Sequence, residues 1–120
     1  MGDELGTRSL SDRVVLLALA ELSATDEVPA HTGEVNRACK ETVETVDAEV
    51  LGSISEAEIN RSLNRLESDG HVAAEPTDDT SAVGKGRPRF VLSPDPDTVV
   101  DALADDDQVG ALAAAVGESL

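Results

Sequence analysis

Arg61, Asn64 and Arg65 recur at helical spacing inside SEAEINRSLNRLESDG, residues 55 to 70. Guanidinium and carboxamide groups are the side chains that pair bidentately with guanine and adenine edges in a major groove, and small neighbours let a helix come close. At about 100° per residue, Ala57, Arg61, Asn64, Arg65 and Ser68 share one side, while Ile59, Leu63 and Leu66 form the opposing apolar stripe. The acids Glu56, Glu58, Glu67 and Asp69 fall on the flanks. In a chain with 25 Asp and Glu residues, a helix face without carboxylate is informative. Taken alone, the segment is equally consistent with a solvated face that carries two arginines.

A second cluster shifts that balance. GKGRPR, residues 84 to 89, holds Lys85, Arg87 and Arg89, three of the nine Lys and Arg residues in the chain. Gly84 and Gly86 let the backbone turn and approach a phosphate, and Pro88 stiffens the return. A hairpin tip serving only as a connection has no need of so many cations.

The elements that must position these groups can be read around them. Ser55 and Glu58 have the spacing of a reciprocal capping box, and Gly70 suits the left-handed residue just past a helix end. HVAAE and RFVLS, on either side of the basic tip, predict a two-stranded ribbon. Upstream, Ser11 or Asp12 can cap a helix through about Ser23. Its VVLLALAEL is apolar on nearly every side and so predicts a central buried helix. TDEVPAH reads as a turn. Thr32 can cap a second helix, TGEVNRACKETVETV, with Val35, Ala38, Cys39, Val43 and Val46 at helical spacing. Arg37 and Lys40 on its outer face are candidate phosphate contacts, or partners for Glu41 and Glu44. Ser53 and Ile54 are candidates for a short additional strand. After SPDP, Asp97 can cap TVVDALA, and the acids Asp105 to Asp107 favour the start of QVGALAAAV. These last two helices have apolar faces that either pack on the domain or form a homodimer contact.

The expected fold is therefore α+β, mainly α: a winged helix-turn-helix with a three-helix core and a β-hairpin wing, plus one or two extra C-terminal helices. Residues 1–9 are expected to be disordered, 10–94 to form the winged-helix domain, and 95–120 to form the short C-terminal helices. Double-stranded DNA is the expected partner. The candidate contacts are Arg61, Asn64, Arg65 and Ser68 on the helix, Lys85, Gly86, Arg87 and Arg89 on the wing, and Arg37 and Lys40 for phosphate.

Composition narrows the remaining classes. No stretch approaches the roughly 20 apolar residues of a membrane span, and the acidic N-terminus is unlike a signal peptide, so a cytoplasmic protein is expected. One cysteine excludes an internal disulfide. His31 and His71 belong to no cluster with metal-ligand spacing, and no nucleophile is assembled. The GxxxxGK[ST] spacing of a nucleotide loop is absent. No enzyme, cofactor, metal or small-molecule substrate is expected. The net charge of −16 opposes DNA binding in dilute salt. Its pattern, with acids in every segment, only two lysines and one aromatic, resembles the cytoplasmic proteins of extremely halophilic archaea. About 1 M salt shortens the Debye length to roughly 3 Å, which screens that repulsion.

From Val14 to about Ala104, the order VVLLALAEL, TGEV, RSLNRLESDGHVAAE, GKGRPRFVL and DPDTVVDAL resembles the C-terminal winged-helix domain of archaeal origin-recognition replication initiators. The resemblance implies a recognition helix in the major groove, with Asn60, Arg61, Asn64 and Arg65 facing bases. It also implies a wing in which Lys85, Arg87 and Arg89 contact the minor groove or backbone at origin repeats. The ATPase module of that family has no counterpart here. A stand-alone transcription regulator and a winged protein-interaction module are the alternative readings.

Overall fold

The computed structural model describes residues 9–25, 30–45, 55–75, 89–106 and 109–118. The chain opens on α1, Leu10–Ala24. Its cap is Ser9, whose hydroxyl accepts the Asp12 amide at 3.2 Å, so the helix starts two residues earlier than a Ser11 cap implies and three earlier than an Asp12 cap. Every residue from Ser11 to Ala20 is buried, and Val14 to Ala20 are fully enclosed. That enclosure follows from position: α1 is the axis on which the other elements pack.

Strand β1, Ala30–His31, leads directly into α2, Thr32–Thr45. Thr32 is the first helical residue rather than the cap. Instead the Glu34 carboxylate reaches back and accepts the His31 amide at 3.1 Å, satisfying one of the orphan donors of the first turn. Val35, Ala38 and Cys39 face the core as expected, while Val46 lies outside the described residues.

Helix α3, Glu56–Ser68, keeps half of its expected capping box. Ser55 accepts the Glu58 amide at 3.2 Å. The Glu58 carboxylate, however, turns to Arg61, because a cation one turn along offers a charge-assisted bond and the Ser55 amide sits at an exposed position open to water. At the far end, the His71 amide donates to the Leu66 carbonyl and the Gly70 amide to Glu67. Gly70 has φ of 86°. This is a Schellman closure, and it delivers the chain straight into β2, Val72–Glu75.

Strand β3, Arg89–Leu92, is central in a three-stranded antiparallel sheet of order β1-β3-β2. Val72 pairs with Leu92 and Ala74 with Phe90, while Ala30 lies across from Phe90 on the other side. The third strand thus comes from the segment expected to be a turn. Ser53 and Ile54, the expected strand, lie outside the described residues.

Helices α4, Pro96–Leu103, and α5, Gly110–Gly117, complete the fold. Asp95, not Asp97, occupies the cap position of α4, with Pro96 in the first helical position, where its missing N–H costs nothing. At α5 the Asp106 carboxylate accepts the Val109 amide at 3.0 Å. Val99, Leu103, Val109, Leu112 and Val116 all enter the same core as α1. The apolar faces that suggested a homodimer contact are therefore covered by the chain itself.

Candidate nucleic-acid interface

Ile59, Leu63 and Leu66 anchor α3 to the core, and the opposite side is open: Ala57, Asn60, Arg61, Asn64, Arg65 and Ser68 are all exposed. The sequence-derived face is therefore present as a surface. Its two arginines are held differently. Arg61 Nη2 donates to Glu58 Oε1 at 3.2 Å, with both groups exposed. Such a pair is worth about 0–1 kcal/mol and is easily exchanged for another anion. Arg65 Nη2 instead donates to Asp12 Oδ1 of α1 at 2.8 Å.

Beside this face runs a groove between α2 and α3, lined by Thr32, Gly33, Asn36, Arg37, Lys40, Glu56 and Asn60. Lys40 Nζ pairs across it with Glu56 at 3.7 Å. Arg37 is exposed and makes no ion pair among the described residues. Asn36 donates to the Thr32 carbonyl through Nδ2 at 2.9 Å, and its buried Oδ1 meets no donor among the described residues.

Arg89 is exposed at the start of β3, opposite His31. Because Thr32 follows His31 directly, that pairing sets the foot of the hairpin against the start of α2, next to the groove. Lys85, Gly86 and Arg87 lie outside the described residues. Exposed cations among the described residues are confined to three elements, whose helices also expose Glu41, Glu56 and Glu67. They are Arg37, Lys40, Arg61, Arg65 and Arg89, on α2, α3 and β3. Helices α4 and α5 and their caps expose Asp95, Asp97, Asp101, Asp105 and Glu118 and carry no cation.

Sequence reasoning did not find the partner of Arg65. Asp12 was read as a cap candidate. The signal was available: a carboxylate at the head of a helix buried on all sides needs a counter-charge from elsewhere in the fold. Likewise Ser62, between Ile59 and Leu66, faces α1, where its hydroxyl meets that of Ser11 at 2.8 Å.

The helices around α1 and the hairpin sheet define a winged-helix fold, α+β and mainly helical. The chain is similar to the Aeropyrum pernix ORC1 protein solved in complex with DNA, with a TM-score of 0.73 and 26% identity. The match covers 92% of this chain and 28% of that one, so the chain spans under a third of the length of the protein that it resembles. No protein-family model and no curated protein matches it. Among the described residues no helix is long and apolar enough to cross a membrane.

Proposed function

We propose that the chain binds double-stranded DNA sequence-specifically, with the exposed face of α3 in the major groove and the hairpin on the neighbouring backbone or minor groove, in a role linked to replication-origin recognition. The observation that carries this reading is that every exposed cation among the described residues lies on α2, α3 or β3, with Arg37 and Lys40 lining the groove beside the open side of α3. The likeness to a protein solved with DNA supports it. Asn60, Arg61, Asn64, Arg65 and Ser68 face bases in this arrangement. Arg37 and Lys40 reach phosphates flanking the groove. Lys85, Gly86, Arg87 and Arg89 act from the wing.

The acidity belongs to the same proposal. A chain of net charge −16 suits a cytoplasm of concentrated KCl, where a Debye length of about 3 Å at 1 M leaves only close, directional contacts effective. Counterion release is weakened there too, so arginine hydrogen bonds carry more of the affinity.

The test is fluorescence anisotropy with duplex DNA in about 1 to 3 M KCl, a range chosen because binding depends on salt. Arg61→Ala is expected to cost about 1–3 kcal/mol on a preferred duplex and to relax base preference, whereas Lys85→Ala or Arg87→Ala weakens all sequences alike. Equal losses on preferred and random duplexes for both sets would contradict the assignment of roles.

A further inference from the structure

Asp12 is the third helical residue of α1, with a side chain only 2% exposed. A buried carboxylate is tolerated only with a close counter-charge and further hydrogen bonds, and α3 supplies that charge through Arg65. Every contact of Arg65 uses one nitrogen. Nη2 meets Asp12 Oδ1 at 2.8 Å, Ser62 Oγ at 3.2 Å and Ser9 Oγ at 3.3 Å. Ser62 is itself fixed through Ser11. Nη1 and Nε have no partner among the described residues, and the side chain remains 43% exposed on the open side of α3.

The guanidinium is thus gripped at one corner while its other N–H groups stay available. This differs from Arg61, which among the described residues is tied only to an exposed glutamate on its own helix. Fixing a long side chain before binding removes an ordering cost of about 0.5–1.5 kcal/mol from the association step, and a planar donor set held in place has only a few acceptor geometries that suit it.

We propose that Asp12 is a positioning residue for base recognition: by holding Arg65 from α1, it presents the free edge of that guanidinium to one base pair of the site. This inference rests on the DNA-binding reading above. Asp12 itself touches no DNA in this arrangement.

The experiment compares wild type, Asp12→Asn, Arg65→Ala, Arg65→Lys and the Asp12→Asn/Arg65→Ala double variant. A randomised duplex library in concentrated KCl gives base preference, anisotropy gives affinity, and thermal unfolding gives the folded fraction. Asp12→Asn keeps the shape and an acceptor but loses the charge. It is expected to lower affinity for the wild-type-preferred duplex about two- to tenfold and to flatten preference at one base pair. Arg65→Ala should flatten the same position, and Arg65→Lys should not restore it, since an ammonium lacks the planar fork. In the Arg65→Ala background, Asp12→Asn should change affinity and preference no further. If Asp12→Asn folds poorly, Ser62→Ala removes another contact of the same nitrogen and should flatten the same position.

Variants that lose stability while their folded fraction keeps the wild-type preference would overturn the proposal and make Arg65 an internal strut. A wild-type protein that enriches no sequence would instead remove the DNA-binding reading itself, and the positioning role with it.

Discussion

Arg13 and Asp106 meet at 2.8 Å with side chains 10% and 11% exposed, joining the first turn of α1 to the cap of α5. Both groups are mostly out of water, so breaking the pair costs more than it would at the surface. Asp106→Ala is expected to lower stability by about 3–5 kcal/mol, read by chemical denaturation. Asp106→Asn, which can still accept the Val109 amide, should lose less. Cys39 makes a second prediction. Burial pushes its thiol up from 9.0 to about 12, so the folded state keeps the proton where the unfolded chain releases it. Its contribution to stability is full below pH 9 and is lost as pH rises from 9 towards 12, by up to about 1.4 kcal/mol per unit. Denaturation curves at pH 8 and pH 10 should show this decline, and Cys39→Ala should lack the part due to the thiol. Thiol reagents at pH 8 should label Cys39 only after unfolding.

At the scale of the elements, local chemistry was legible where it is self-contained. Ile59, Leu63 and Leu66 declare the buried side of α3, Ser55 declares its start and Gly70 its end, because each signal depends only on near neighbours in the chain. β1 was not legible. Ala30–His31 is a strand only because Phe90 and Arg89 lie opposite, and two residues carry no period of their own. The Glu58 to Arg61 pair and the Asp12 to Arg65 pair show the same limit. A capping glutamate has competing partners, and a buried acid's partner is chosen by the fold. Close packing between elements gives a further prediction at Gly110. A Cβ there would sit 2.9 Å from the Ala104 carbonyl oxygen, a backbone atom that cannot swing aside. Gly110→Ala should cost about 1–3 kcal/mol in thermal or chemical unfolding, despite the better helix propensity of alanine.

For the whole molecule, the same packing decides which surfaces remain for partners. Val99, Leu103, Leu112 and Val116 close the core around α1, and what α4 and α5 leave outside is acidic. Neither helix offers a cation to a phosphate. Among the described residues the exposed cations lie on α2, α3 and β3, and the α2/α3 groove lies beside the open side of α3. The central claim is therefore about which face meets DNA. Backbone amide shifts recorded while duplex DNA is added in concentrated KCl test it most directly. The account predicts saturable shifts at Arg37, Lys40, Asn60, Arg61, Asn64, Arg65, Ser68 and Arg89, with α4 and α5 unmoved. Shifts confined to α4 and α5, or no shift at any residue, would contradict it.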